Sequence, residues 1–294
     1  MLPDVLRGLL YRMRETRAER NRRRAVSASA RNRSGLDELD AAAPAFQVAE
    51  SEGFLRIEGL DPELVRGCVD DTRRRFESER AQNQQLNNKP YFMQFTRLAD
   101  YSADAAPFRL ATTPGVVKAV ADYLGSFPLL YNITAVFSPS GEQTGVRSAA
   151  DWEGSQLFHR DGEDRRLLKL WVLCSDVTEE HGPTMVLPAK VSQRLANRLR
   201  YSPGIKMPDE PFLKYWDSVQ SATGPSGTVY ATDTARCFHF GSRTTTKSSR
   251  LVLMIHYPTE QSPFYSKTAA ARREDDGARF AGLPMAERRL LGYV

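Results

Sequence analysis

The sequence predicts a mainly β fold with flanking helices, built as a β-sandwich or a jelly roll. From Phe127 onward, short runs rich in branched and aromatic residues alternate with Gly, Pro, Asp and Ser. Such runs favour strands, and their close spacing is typical of two packed antiparallel sheets. One helix-like patch, with Val191, Leu195 and Leu199, interrupts the series. The predicted strands are LLYNITAVF, RLLKLWVLC, TMVLP, GTVYAT, RCFHF and RLVLMIHY.

The part of the chain before these strands predicts one further strand and two helices. Residues 53–58 alternate like a short strand. Asp61 and Pro62 then supply an N-cap and a first-turn proline for an amphipathic helix. A second helix is predicted from Thr113 to a stop at Gly125.

Two long irregular stretches, 87–108 and 201–226, separate the predicted elements. The first is long enough to surround the mouth of a site. Loops as long as the second are uncommon unless they act as lids or binding loops, although a passive surface insertion is an equal alternative. If there is a site, we expect these stretches to select its substrate.

By composition, the chain divides into a basic amphipathic arm and linker (1–44), a main domain (45–268) with its β core at about 127–258, and a C-terminal extension (269–294). Residues 1–35 hold ten Arg and three acids, so this segment carries +7 and leaves −2 for the rest of a chain whose net charge is +5. We expect the arm to dock on its own domain, on a twin subunit or on an anionic surface. No aromatic residues interleave its Arg run, so nucleic-acid binding is not clearly indicated.

Cysteine usage and hydropathy predict a cytoplasmic protein. Cys68, Cys174 and Cys237 sit in apolar surroundings without CxxC spacing, which favours buried thiols of a reducing compartment over disulfides. No run approaches the roughly eighteen apolar residues of a transmembrane segment. The apolar stretch of the arm is interrupted by Arg7 and Arg12, so it does not resemble a secretory signal.

The first candidate functional residues along the chain are His159 and Asp161. On a strand, residues i and i+2 point to the same face, so an imidazole and a carboxylate would aim at one spot. That is part of a metal site which leaves other positions open. His239, in a distant β run, is a candidate third ligand. Arg250 follows eleven residues later at the head of an apolar strand, where an inward-facing guanidinium needs an anionic partner.

In order and spacing, these residues resemble the phytanoyl-CoA dioxygenase-like family of Fe(II)/2-oxoglutarate-dependent oxygenases. The resemblance covers about residues 127–258 and includes the turn Ser175–Pro183 and the short strand ending Val186–Leu–Pro188. His181 and the pair Ala189–Lys190 depart from the usual pattern, and they leave the subfamily open. The resemblance implies a double-stranded β-helix, a jelly roll of the cupin type.

The resemblance also implies a reaction. His159, Asp161 and His239 would hold Fe(II), and Arg250 would hold the far carboxylate of the cosubstrate 2-oxoglutarate. With O2, such a site hydroxylates a small organic molecule and releases succinate and CO2. Since the carboxylate ligand Asp161 is present, no room is left for a halide, and hydroxylation is favoured over halogenation.

Two residues of the strand RLLKLWVLC share a face and are candidates for binding the cosubstrate. Trp171 would pack beside it, and Lys169 would then point inward too, which is costly unless it meets an anion. Alternatively, Lys169 points outward and Leu168 and Leu170 lie in the core. His256 shares a face with Arg250 and would be either a hydrogen-bonded core histidine or a fourth ligand. Further weak candidates for contacts with substrate or cosubstrate are Arg97, Tyr131, Asn132, Gln156, Lys214, Ser248 and Ser249.

Two other functions remain open from the sequence alone. One is a non-catalytic sensor that binds 2-oxoglutarate or a metal on a jelly roll. The other is a cupin-type isomerase or hydrolase that uses a divalent metal. Arg250 at the anchor position argues against the isomerase or hydrolase.

Overall fold

A computed structural model of the chain describes residues 39, 41–82, 86–145, 151–244, 247–260, 262 and 282–292. Nearly all of the predicted basic arm and much of the predicted C-terminal extension lie outside these residues. Within them, no helix combines the length and the apolar character that crossing a membrane requires.

Both helices predicted before the β core are present, and a further helix lies between them. Helix α1 spans Pro62–Ala81, and the Asp61 side chain caps it by accepting hydrogen bonds from two backbone N–H groups of the first turn. Helix α2 spans Ala106–Thr112 and α3 spans Pro114–Leu124. Helix α3 ends at Gly125, whose φ of 64° is the left-handed conformation that glycine adopts without strain. The remaining α-helices of the described residues are α4 (Gly141–Thr144), α5 (Ala189–Arg198) and α6 (Met285–Leu290).

The strands form two antiparallel sheets. In the described part of the chain they are β1 (Phe54–Ile57), β2 (Met93–Gln94), β3 (Asn132–Ser138), β4 (Leu167–Leu173), β5 (Met185–Val186), β6 (Gln220–Ser221), β7 (Val229–Asp233), β8 (His239–Phe240) and β9 (Arg250–Pro258). The large sheet has the order β1-β7-β4-β9-β3-β2, and the small sheet has the order β6-β5-β8. The predicted jelly roll with flanking helices is therefore confirmed, although β5 and β8 are shorter than the runs that predicted them.

The large sheet is covered on both faces, and its strands β4 and β9 are buried along their whole length. On one face, Leu168, Leu170 and Val172 join the core that packs against α1 and α3. On the other face, Trp171 and Met254 pack with Val186 of the small sheet. A strand buried on both faces reads as a continuous apolar run, which is why the sequence could not fix the direction of Lys169.

The C-terminal residues that the structure describes pack onto the main domain. Leu290 and Leu291 are buried in the large core, and the carbonyl of Leu290 accepts a hydrogen bond from the N–H of Leu130 at 2.8 Å. These contacts fix helix α6 against the main domain.

Candidate metal centre

Two imidazoles are brought together by an antiparallel bridge between His159 and His239. The N–H of each residue donates to the carbonyl of the other, at 3.0 and 2.9 Å, and the ring centroids lie 4.2 Å apart. Each Nδ1 lies near the carbonyl two residues earlier, 2.8 Å from Leu157 O and 3.1 Å from Cys237 O. Because Nδ1–H donates to these carbonyls, each Nε2 keeps a free lone pair.

Burial keeps both rings neutral. It lowers the pKa of His239 to about 4 and holds the pKa of His159 well below its ordinary range. Neutral imidazole is the form of histidine that binds metals.

Asp161 completes the group. Its Oδ1 lies 3.7 Å from His159 Nε2 and its Oδ2 lies 3.9 Å from His239 Nε2. Burial works to raise the pKa of Asp161, but the ammonium of Lys169, with smaller contributions from the two imidazoles, outweighs it and holds this pKa well below normal. The carboxylate is therefore ionised when the imidazoles are neutral.

Lys169 points inward and binds Asp161. Its Nζ donates to Asp161 Oδ2 at 2.7 Å, and the ammonium of Lys169 and the carboxylate of Asp161 are both mostly buried. The sequence left two directions open for Lys169; the structure has the inward one, with Leu168 and Leu170 also in a core. Since Lys169 occupies one carboxylate oxygen, Oδ1 is the oxygen left for a metal.

These donors fit a divalent metal. The ligand atoms of His159, Asp161 and His239 all lie within 4.8 Å of one another, and no other trio of His, Cys, Asp or Glu among the described residues is this close. Two neutral imidazoles and one carboxylate on one side of a site suit a non-haem Fe(II) centre with open positions.

Arg250 is a buried guanidinium whose hydrogen-bond partners among the described residues are hydroxyl groups. Its Nε, Nη1 and Nη2 donate to Ser138 Oγ at 3.3 Å, Thr184 Oγ1 at 3.4 Å and Ser242 Oγ at 3.3 Å. Arg250 is 2% exposed, no acidic side chain of the described residues pairs with it, and burial lowers its pKa to about 10. Buried arginines are normally paired, so this side chain is suited to an anionic ligand.

One cavity of about 600 Å³ joins the triad to Arg250. Trp171 and His256 line it from β4 and β9, and both are almost fully buried. Trp171 Nε1 and His256 Nε2 have no hydrogen-bond partner among the residues described. His256 is therefore a buried histidine of the cavity wall and not a member of the metal-binding trio. The cavity wall also includes Phe92, Gln94, Tyr131, Asn132, Phe240, Gly241 and Met254.

Sequence reasoning missed several cavity residues. Lys89 and Lys206 reach the cavity from the two long irregular stretches, where no pattern indicates which side chain turns inward. Glu163 also lines it, and the alternation that pairs His159 with Asp161 could have found a residue two positions further on.

Other weak candidates do not line this cavity. Ser248 and Ser249 were candidate partners of the ligand that Arg250 would bind. The hydroxyl groups that accept hydrogen bonds from Arg250 belong instead to Ser138, Thr184 and Ser242. The side-chain amide of Gln156 donates a hydrogen bond to the carbonyl of Ser242. Arg97 is exposed and lies 3.7 Å from Asp100, whereas Lys214 is exposed and lies over the ring of Tyr215.

Among solved structures, the chain resembles EctD from S. alaskensis. The structure of EctD with 2-oxoglutarate and 5-hydroxyectoine has 18% identity and a TM-score of 0.52, over 72% of this chain and 74% of that chain. EctD with bound Fe gives a TM-score of 0.51 at the same identity and coverage. The two proteins share a fold.

A looser likeness is to SnoN, described as a non-heme alpha ketoglutarate dependent epimerase from nogalamycin biosynthesis. It has 17% identity and a TM-score of 0.46, over 71% of this chain and 78% of that chain. No model of a known protein family matches the sequence. No curated protein sequence matches it either. The phytanoyl-CoA dioxygenase-like assignment therefore stays a prediction.

Proposed function

We propose that the chain is an Fe(II)- and 2-oxoglutarate-dependent dioxygenase that hydroxylates a small organic molecule, with release of succinate and CO2. The observation that carries the proposal is one cavity containing both the His159–Asp161–His239 trio and Arg250, a buried cation without an acidic partner among the described residues. The fold shared with EctD supports it.

Each residue has a role that its contacts support. His159, His239 and Asp161 would hold Fe(II), and the carbonyls on the two Nδ1 atoms would fix the tautomer that binds metal. Arg250 would hold the far carboxylate of 2-oxoglutarate in two parallel hydrogen bonds. When bound, iron and 2-oxoglutarate together activate O2 for the oxidation of a C–H bond.

The side chains around the trio would orient the reactants and limit water. Lys169 would act as a positioning residue, because it holds Asp161 Oδ2 and so presents Oδ1 to the metal. Trp171 would pack along the cosubstrate on the cavity wall. Asp161 is the third ligand in this arrangement, so hydroxylation is proposed over halogenation.

A finer placement is part of the same proposal. The ordered sequence features around His159, His239 and Arg250 support a phytanoyl-CoA dioxygenase-like subfamily. Cys68, Cys174 and Cys237 are buried free thiols, which supports the expected cytoplasmic location.

The direct test is an anaerobic titration of the purified protein with Fe(II) and 2-oxoglutarate. We expect the visible absorption band of the Fe(II)–2-oxoglutarate chelate, followed by succinate formation once O2 and a substrate are added. A chelate that never turns over with any of a broad substrate panel would favour the sensor, whereas metal binding without a chelate would favour the isomerase or hydrolase.

The matched variants are His159→Ala and His181→Ala. His181 lies on a surface turn, where Thr178 contacts its ring, so its loss should leave the chelate band intact. His159→Ala should abolish the band. Full turnover by the His159→Ala protein would refute the proposal.

A further inference from the structure

Asp233 is a fully buried carboxylate to which the proposed function gives no role. It ends strand β7 and is 0% exposed. Its Oδ1 accepts hydrogen bonds from the backbone N–H groups of Ala235 at 3.1 Å and Arg236 at 3.0 Å. Its Oδ2 accepts one from the hydroxyl of Tyr123 at 2.8 Å. Burial raises the pKa of Asp233 to about 6, so the side chain is ionised at neutral pH and all three donors meet a charged acceptor.

The hydrogen bonds to Oδ1 close a tight turn over residues 233–237, between β7 and β8. An Asp side chain that accepts from N–H groups two and three residues further on is a common way to stabilise a turn. The N–H of Cys237 donates to the backbone carbonyl of Asp233 at 2.9 Å and completes the turn. These N–H groups are thus used within the turn, and its carbonyl groups are left for neighbouring segments.

Two of those carbonyl groups hold the segment that contains two members of the trio. The carbonyl of Thr234 accepts a hydrogen bond from the backbone N–H of Asp161 at 2.8 Å. The carbonyl of Ala235 accepts one from Nε of Arg160 at 2.6 Å. Arg160 lies between His159 and Asp161 in the chain, so the turn holds this segment at two successive residues.

A third carbonyl of the turn orients the remaining imidazole. The carbonyl of Cys237 lies 3.1 Å from Nδ1 of His239, and this contact leaves Nε2 for a metal. His239 and Asp161 are far apart in the chain, yet both depend on carbonyl groups of the same turn. A shift of the turn would therefore displace two ligand positions at once.

The turn is also attached to the outer layer of the domain. The N–H of Asp233 donates to the carbonyl of Gly53 at 2.7 Å, and Nη2 of Arg236 donates to the carbonyl of Glu50 at 3.1 Å. Tyr123 reaches Asp233 from helix α3. Asp233 thus connects the trio with α3 and with the segment that precedes β1.

We propose that Asp233 is a positioning residue of the metal centre: its carboxylate fixes the turn 233–237, whose carbonyl groups orient His239 and hold the Asp161 segment. This inference rests on the proposed function. It assigns Asp233 a contribution to metal affinity that is separate from its contribution to stability. Groups that orient metal ligands through hydrogen bonds typically change metal affinity about 10- to 100-fold when they are lost.

The test compares Asp233→Ala with Asp233→Asn in the full-length protein. Fe(II) affinity is measured by calorimetry under nitrogen, which needs no turnover. Asp233→Ala should weaken Fe(II) binding at least about tenfold. Asp233→Asn keeps a side-chain oxygen that can accept from the N–H groups of Ala235 and Arg236, so it should keep most of the affinity. With the metal saturated, the Fe(II)–2-oxoglutarate chelate band should shift in wavelength in Asp233→Ala and stay in place in Asp233→Asn, because only the first releases the orientation of His239.

The matched control is Asp71→Ala. Asp71 is another buried carboxylate, which lies on α1, pairs with Arg74 and Arg75, and is not part of the described cavity wall. Its loss should lower the urea midpoint, as the loss of Asp233 does, but leave Fe(II) affinity and the chelate band unchanged. If Asp233→Ala does not fold, Asp233→Ser takes its place. A hydroxyl accepts more weakly from the same N–H groups, so Fe(II) affinity should then fall below that of Asp233→Asn.

Three results would overturn the inference. Unchanged Fe(II) affinity in Asp233→Ala would mean that the turn does not position the ligands. An equal loss of affinity in Asp71→Ala would mean that metal binding only follows stability. A loss in Asp233→Asn as large as in Asp233→Ala or Asp233→Ser would assign the effect to the charge of Asp233 and not to the turn.

The wild-type protein is measured first, which separates this inference from the proposed function. A wild-type protein that binds Fe(II) without the chelate band would contradict the proposed function and leave the comparison of the variants valid. A wild-type protein that binds no Fe(II) would overturn both.

Discussion

The parts of the cavity wall that carry Arg250 and Lys206 are built in different ways. Arg250 begins a nine-residue central strand, and its three hydroxyl partners come from separate parts of the fold, so its guanidinium is fixed before any ligand arrives. Lys206 and Lys89 lie on loops, and both are exposed to solvent where they line the cavity. A rigid end suits a cosubstrate that is always the same, and a loop-built end suits a substrate that differs between enzymes.

An ion pair between Arg243 and Asp209 acts as a clamp on the loop that carries Lys206. Arg243 donates to both carboxylate oxygens of Asp209, at 2.8 and 2.7 Å, and its guanidinium lies 3.5 Å above the ring centroid of Phe240. Asp209 lies three residues after Lys206, and Arg243 directly follows Ser242, which contacts Arg250. The clamp thus ties the Lys206 loop to the strand-built end.

The largest expected effect comes from Asp161→Ala, which removes a candidate metal ligand and the partner of Lys169. We expect loss of Fe(II) binding and a decrease of about 3 kcal/mol in the free energy of unfolding of the metal-free protein, because Lys169 is left buried and unpaired. Urea denaturation and calorimetry with Fe(II) measure the two effects. The double variant Asp161→Ala/Lys169→Met should recover the stability but not the metal binding; if it recovers neither, Lys169 does not depend on Asp161.

Arg250→Met tests whether the strand-built end is kept for a ligand at the expense of stability. The variant should weaken 2-oxoglutarate binding about a hundredfold, since two charge-assisted hydrogen bonds are lost. The metal-free protein should become more stable by about 1 kcal/mol, because a buried cation without an acidic partner is replaced by an apolar side chain of similar length. Anaerobic titration and urea denaturation give the two values. A variant that is destabilised and binds 2-oxoglutarate normally would assign Arg250 a purely structural role.

The contrast between residues on strands and residues on loops also explains which parts of the site could be predicted from the sequence. The spacing of His159 and Asp161 and the position of Arg250 at the head of an apolar strand are local signals, because strand alternation and the cost of a buried charge act along the chain itself. The inward direction of Lys169 was not predictable, since both faces of β4 are covered and neither face is polar.

The rest of the site depends on tertiary packing. Ser138, Thr184 and Ser242 meet at Arg250 from three separate segments, and no spacing links them. Lys206 turns toward the cavity in a loop whose course is held by a contact with Arg243, far along the chain. Residues of both stretches expected to surround the site do line it, but only the structure shows which of their side chains do so.

Gly182→Ala should disturb the strand-built end. Gly182 has a φ of +59°, and an added Cβ would lie 2.6 Å from backbone atoms of Arg243. We expect a decrease of about 2 kcal/mol in the free energy of unfolding, from left-handed strain and backbone displacement together. Because the N–H of Ser242 donates to the carbonyl of Gly182 at 3.0 Å, 2-oxoglutarate binding should also weaken.

The control for this variant is Gly59→Ala. Gly59 has a φ of +79°, but nothing lies within 4 Å of the added Cβ. This change should cost about 1 kcal/mol, from backbone strain alone, and leave 2-oxoglutarate affinity unchanged. Equal losses of stability in the two variants would show that the close approach at Gly182 has no effect of its own.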